Sequence, residues 1–216
     1  MTDLREAFPP FGLRVEAGPL VLRPITDEVL PRLIDVALAG VHKPDEAPFY
    51  HPWTDAPADK LPTDFVRYHW STRSGWSREQ WALDLAVEYE GLIVGAQGVT
   101  TTDFLATRSG ETGSWLGLEY HGKGIGTRMR QAICALCFDH LGFEELTSGA
   151  FDDNPASNAV SRKVGYQPNG VARLARKGTW AANYKYVLTP ETFVRGEPVT
   201  VTGAEAFRKF VGLEDR

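Results

Sequence analysis

Between an extended run, Thr112–Leu118, and an amphipathic run that ends near Leu141, glycine takes alternate positions at Gly122, Gly124 and Gly126. This spacing constrains the fold more than any other feature of the chain. Absent side chains let a backbone turn tightly and approach a ligand closely. A helix that starts at such a turn offers unpaired N–H groups and the positive end of its dipole. The expected unit is strand, anion-binding loop, helix.

Three chemistries compete for that unit. "GLEYHGKG" nearly spells a P-loop, with Gly117, Gly122 and Lys123 in place, but Gly124 stands where a Ser or Thr hydroxyl would ligate magnesium. Asp152, after the next strand, is the candidate Walker acid. A dinucleotide fingerprint needs G-x-G-x-x-G, and here the spacing is G-x-G-x-G. The third reading is a glycine turn that only joins strand to helix.

The 216 residues suit one substantial domain, and 43% hydrophobic with 24% charged residues is a globular mixture that needs no metal or disulfide to build a core. Cys134 and Cys137 fall on one helix at i, i+3 and read as packing thiols. A net charge of −5 without a basic cluster argues against a nucleic-acid partner. "MTDLREAFPP" has no apolar leader, and no run is long enough to span a membrane, so a cytoplasmic setting without a membrane partner is expected.

The pattern along the chain predicts extended segments over Leu13–Ile25, broken at Gly18-Pro19, and then a helix capped by Thr26 or Asp27 and ending near Gly40. A proline-rich loop follows, and Thr63 is the expected cap of the next helix. "WALDLAVEYEGLIVGAQGVTT" reads as a hairpin turning at Glu90-Gly91. After the glycine unit come the strand "ELTSGAF", a short helix ending at Gly165, and strands near Val171–Lys177 and Asn183–Leu188. This order predicts an α+β fold with a mixed sheet.

"WLGLEYHGKGIGTRM" resembles the cofactor motif of the GNAT acyltransferase superfamily, in its branch similar to ribosomal-protein N-acetyltransferases. In that motif a strand ends in Gln/Arg-x-x-Gly-x-Gly/Ala and a helix begins. His121, Gly124 and Gly126 take the pattern positions, with His121 departing from Gln or Arg. Farther on, "DDNPASNAVSRKVGY" resembles the next motif, Asn-x-x-Ser then Gly-Phe/Tyr, through Asn154, Ser157, Gly165 and Tyr166. The wider chain also looks like an actinobacterial GNAT described as a succinyl-CoA transferase.

The resemblance implies a GNAT fold, a mixed, mostly antiparallel central sheet flanked by helices. It also implies transfer of an acetyl or succinyl group from acetyl-CoA or succinyl-CoA to a primary amine. The expected cofactor-binding residues are Leu116, Gly117, Leu118, His121, Gly122, Lys123, Gly124, Ile125, Gly126, Thr127, Asn154 and Ser157. The loop would hold the pyrophosphate of coenzyme A and the preceding strand its pantetheine arm. A thioester needs no metal to deliver its acyl group, which would explain the missing hydroxyl after Lys123. Ser157 would be the catalytic proton donor to the departing thiolate, with Tyr166 as the alternative. Asn154 is also an expected N-cap, with Pro155 at the first helical position.

The acceptor is expected to be a small-molecule amine, a protein lysine or an N-terminus. Asp103, Glu111, Glu88 and Glu119 are the candidate bases. Aromatic residues from Phe49 to Trp81, with the acids Asp45, Glu46, Asp55, Asp59 and Asp64, suit a wall around a cationic amine, or simple packing and solvation. Arg67, His69 and Lys177 are the candidates to meet a succinyl carboxylate. Cys134, Cys137 and His140 point in different directions around their helix and make a poor metal set, so no metal is expected. The domain is expected over residues 13–190, between an arm (1–12) and a C-terminal extension (191–216) that would support homo-oligomers. A CoA-binding sensor without catalysis is the alternative function.

Overall fold

The computed structural model describes residues 3–213, so the extreme ends of the arm and the extension lie outside the described residues. The strands are β1 (Arg14–Ala17), β2 (Leu20–Pro24), β3 (Gln80–Tyr89), β4 (Leu92–Thr102), β5 (Ser109–Leu116), β6 (Glu145–Phe151), β7 (Gln167–Arg176), β8 (Thr179–Leu188) and β9 (Thr200–Thr202). They form one sheet in the order β7-β8-β6-β5-β4-β3-β2-β1-β9. Only β5 and β6 run parallel; every other neighbouring pair is antiparallel. The helices are α1 (Leu4–Ala7), α2 (Leu30–Ala39), α3 (Leu61–Ser74), α4 (Phe104–Thr107), α5 (Ile125–Ala135), α6 (Pro155–Val164) and α7 (Ala204–Phe210). None of them is long and apolar enough to cross a membrane.

Period-2 alternation sorts the central strands onto two faces. Leu83, Leu85, Val94, Val99 and Leu116 pack with Ile125, Met129 and Ile133 of α5. Ala86, Ile93, Ala96 and Trp115 pack with Leu30 and Leu33 of α2 and Phe65 of α3 on the opposite face. The β3–β4 hairpin turns where expected, with Glu90 at φ 51 and Gly91 at φ 83, the left-handed pair that matches strand twist.

Three local expectations need correction. α3 starts at Leu61 with Pro62 in its first turn, so Thr63 lies inside the helix and caps nothing. α2 begins at Leu30, after a turn at Thr26, and neither Thr26 nor Asp27 caps it. β5 stops at Leu116, because Gly117 packs against α2; a Cβ there would lie 2.7 Å from Val36 Cγ1. Leu118 instead starts a short 3-10 turn, and its N–H donates to Gly40 O at 2.9 Å.

The C-terminal segment packs on its own chain. β9 pairs with β1, and Phe207 of α7 is buried edge-on against Trp76 and Trp81. Both cysteines are free and buried thiols.

Candidate cofactor and acceptor site

β5 and β6 bridge only at Ser109↔Glu145, Gly110↔Leu146 and Glu111↔Thr147. Beyond that rung β5 stays bonded to β4 as far as Leu116, and β6 to β8 as far as Phe151. The two parallel strands therefore part toward their C-terminal ends, where α5 and α6 begin. Arg130 of α5 spans the opening from below. Its Nη2 donates to Ser114 Oγ at 3.0 Å, its Nη1 to Ser148 Oγ at 3.1 Å and its Nε to Gln97 Oε1 at 3.3 Å. Arg130 is 4% exposed, and its guanidinium has no carboxylate partner among the described residues.

The glycine loop sits past the end of β5. Gly122 and Gly124 have φ of 74° and 79°, the left-handed region that only glycine enters freely, and nothing lies within 4 Å of where their Cβ atoms would be. The backbone N–H groups of residues 122–126 have no acceptor among the described residues; the first helical bonds come from Thr127 and Arg128 to Gly124 O. A run of unpaired amides at the start of an eleven-residue helix is a fit for a phosphate group. Lys123 lies over the Tyr120 ring at 5.4 Å, and the His121 ring turns back to Leu116 O at 3.1 Å. At Gly126, which packs beside α6, a Cβ would make an ordinary 3.5 Å contact with Val160, so space alone does not demand glycine.

Across the split, Asn154 caps α6, with Oδ1 accepting from Ser157 N at 3.0 Å, and Pro155 sits in the first turn. Ser157 is half-buried, and its hydroxyl is not committed to a partner among the described residues. Tyr166 is committed. Its hydroxyl lies 2.8 Å from Thr112 Oγ1, and Thr112 Oγ1 donates to Thr147 O at 3.1 Å, so Tyr166 must be the donor in the pair. Burial pushes the phenol well above its usual range. Tyr166 is a core residue with its proton in use.

On the α3 face, strand register brings distant residues into one row: Asp84 opposite Gly98, Gly98 opposite Gly113, and Gly149 opposite Lys185 on the far side of the split. Asp84 Oδ1 occupies the space a Gly98 side chain would fill, while Gly113 faces open space. His69 Nδ1 is 3.8 Å from Asp84 Oδ2, which is buried without a hydrogen bond. Burial pushes the Asp84 carboxyl up to about 6, and burial followed by the charge of Arg73 holds His69 down to about 4. The Asp84 charge and burial raise Tyr68 to about 12. Beside this row, Phe49, Trp53, Phe65 and Trp115 form a continuous aromatic wall with centroid distances of 5.3–6.1 Å. Arg176 ties the wall's loop to the end of β7, donating to Ala47 O at 3.1 Å and to both Asp153 oxygens at 2.8 and 2.7 Å. A cleft of roughly 170 Å³ opens there, lined by Phe49, Tyr50, Asp55, Arg176 and Lys177.

The acids expected to act as bases scatter. Glu88 is paired with Arg23 at 3.1 Å, and Asp103 begins α4, near the end of β5 away from the split. Glu119 is exposed in the turn after β5, and Glu111 is exposed at the last bridged rung. Of the cations considered for a carboxylate, Lys177 pairs with Asp55 at 3.2 Å, Arg67 is exposed and His69 is buried. Asp84 and Arg130 were missed. The available signals were a lone carboxylate inside "WALDLAV" and an arginine among the apolar positions of α5. Among the described residues no group of His, Cys, Asp and Glu could hold a metal ion.

Comparison with known proteins adds to this geometry. A family model described as "Acetyltransferase (GNAT) domain" matches residues 19–167. Over 91 residues, 42% of this chain and 49% of the relative, the chain is 28% identical to the provisionally named ribosomal N-acetyltransferase YdaF of Bacillus subtilis (strain 168). The chain thus spans about half the length of that curated relative. Mycobacterium smegmatis RimJ, solved in complex with CoA-disulfide, superposes with a TM-score of 0.64 at 20% identity, covering 92% of each chain. RimL, a ribosomal L7/L12 alpha-N-protein acetyltransferase solved with coenzyme A, superposes with a TM-score of 0.63 at 17% identity over 80% of this chain and 95% of its own. At these identities the structural matches show a shared fold.

Proposed function

Since the chain belongs to the GNAT acetyltransferase family, we propose that it transfers an acetyl group from acetyl-CoA to an amine, with a protein N-terminus as the favoured acceptor. The observation that carries this reading is the run of unpaired amides at residues 122–126, set at the mouth of the β5–β6 split. In this reading the loop amides and the α5 N-terminus hold the cofactor's pyrophosphate, and exposed backbone of β5 guides the pantetheine arm. Coenzyme A would supply the activated acyl group as a thioester. The protein would hold acyl carbon and amine in line, an effect worth ~7–11 kcal/mol. Ser157, with an uncommitted hydroxyl in the first turn of α6, gives a proton to the leaving sulfur. The N-terminal acceptor is favoured by the description of RimL as an alpha-N-protein acetyltransferase, and a ribosomal acceptor by the name of YdaF.

A succinyl donor is the second reading. It is favoured by Lys185, whose Nζ lies 3.1 Å from the Cβ position of Gly149 and has no carboxylate partner among the described residues. Calorimetric titration with acetyl-CoA, succinyl-CoA, free CoA and ATP–Mg²⁺ tests both. Tight binding of CoA species without ATP is expected. Binding of ATP–Mg²⁺ alone would sink the acyltransferase reading, and a clear preference for succinyl-CoA would replace the acetyl donor. Ser157→Ala should then lower turnover more than CoA affinity; a protein that binds CoA and acylates nothing would be a sensor.

A further inference from the structure

The β3–β4–β5 register sets a carboxylate beside a side-chain-free stretch that leads to the strand split on the α3 face. Asp84, Gly98 and Gly113 are opposite one another in successive strands, and Gly149 lies across the opening. The Asp84 side chain leans over Gly98, so its Oδ1 faces the next position, Gly113, about one strand spacing away, ~4.8 Å. Gly113 is exposed and open above, and a small molecule or chain end can lie on it. Resting on the acyltransferase reading above, we propose that Asp84 is the group that takes the proton from the acceptor ammonium, and that the glycine row is the floor along which the amine reaches the split.

The chemistry fits the requirement. An amine arrives as an ammonium and must lose a proton before it can attack. Asp84 Oδ1 accepts that proton, directly or through one water, and becomes the neutral acid. The neutral amine then forms its bond to the acyl carbon as the carbon–sulfur bond breaks. The nitrogen's second proton passes through water to restore the Ser157 hydroxyl, whose own proton has gone to the departing sulfur on the other side of the split. Asp84 returns its proton to solvent, so each turnover releases one proton overall. A carboxyl raised toward neutrality by burial is better matched to this task than an ordinary one. Glu111, one residue pair farther along β5, is exposed and lacks that shielding.

The surroundings suit a carboxyl that cycles between its two forms. From α3 it is faced by His69, by Tyr68 and, behind His69, by Arg73. Phe8 and Phe11 of the N-terminal arm bring no charge to the cavity of about 30 Å³ that lies behind it. That volume has room for a water to pass the proton onward.

The test uses the full-length protein, acetyl-CoA and synthetic peptides with free α-amino groups, beside blocked peptides that carry lysine. Asp84→Asn should lower kcat by about 10²–10⁴-fold and abolish the acid limb of the pH profile near pH 6, with CoA affinity by calorimetry unchanged. Its residual rate should climb with pH as the free amine accumulates. Gly113→Val, whose Cβ would meet no heavy atom within 4 Å, should raise the acceptor KM and leave CoA affinity and melting temperature intact. Without any cofactor, carbonyl-carbon NMR of the protein should show Asp84 titrating near 6. An Asp84→Asn enzyme with wild-type rate and acid limb would overturn the assignment, as would an Asp84 that titrates in the ordinary carboxylate range. So would loss of the limb in Glu111→Gln instead. Absence of CoA binding by the wild-type protein would overturn the acyltransferase reading itself, a separate outcome.

Discussion

Arg130 reaches out of α5 and donates to Ser114 Oγ at 3.0 Å, at the point where β5 has already left β6. The same guanidinium holds Ser148 on the opposite bank, so one planar cation sets the width of the split. A buried charge without a counter-ion is costly, and here hydrogen bonds to neutral groups and the face of the Tyr166 ring, 5.9 Å away, offset it. Arg130→Met should lower stability by about 1–3 kcal/mol by leaving buried acceptors unpaired. Arg130→Lys should fall short of rescue, because a point charge cannot reach both serines. Thermal melts of the three proteins check this, and wild-type stability in Arg130→Lys would refute the spanning role.

Gly124 opens α5 with a φ of 79°. Gly124→Ala meets no neighbouring atom, so only the backbone conformation is penalised, by about 1–2 kcal/mol. Melting should therefore shift modestly while CoA affinity falls several-fold, because the loop amides rotate away from a common point. Unchanged calorimetric affinity would mean that the loop is only a connection.

His69 and Asp84 make opposite contributions to acid stability. In the unfolded chain His69 titrates at an ordinary 6.5 and Asp84 at 3.8; in the folded protein these become about 4 and about 6. Between these limits each state carries one proton on the pair, on His69 when unfolded and on Asp84 when folded, so the pair adds almost no slope. Single variants unmask the halves. With His69→Gln the remaining Asp84 has a raised pKa, so its contribution is present at pH 4 and lost as pH rises through 6. With Asp84→Asn the remaining His69 has a depressed pKa, so its contribution is present above pH 6.5 and lost as pH falls toward 4. Each change is at most about 3 kcal/mol, at ~1.36 kcal/mol per pKa unit. Urea midpoints across this range should slope in opposite directions for the two variants.

Tyr166 spends its only hydroxyl proton on Thr112 Oγ1. Tyr166→Phe should cost about 1–2 kcal/mol for a buried acceptor left without its donor. Turnover should stay within about twofold, in contrast to Ser157→Ala. A kcat collapse in Tyr166→Phe with an intact fold would exchange the roles of the two residues.

Local signals in the sequence were sufficient for local structure. The Glu90-Gly91 turn, the alternation in "WALDLAV" and the glycines before α5 each declare themselves within a few residues. Thr63 misled because Pro62, one residue earlier, already suited a helical first turn. The glycine loop was legible because its unpaired amides come from one continuous stretch. The glycine row was not, because Gly98 and Gly113 lie on separate strands and meet only through register, with Gly149 across the split. Arg130 looked like one more polar position on a helix. Only its place beneath two diverging strands shows what it spans.

The segment after Pro190 joins the same sheet: β9 supplies the outer neighbour of β1, and Phe207 fills the space beside Trp81. A chain cut at Pro190 would bare a row of unpaired amides on β1 next to an apolar hollow, which is the template that recruits foreign strands. Removing the terminal segment is therefore expected to promote aggregation, and shortened versions of the protein should retain it.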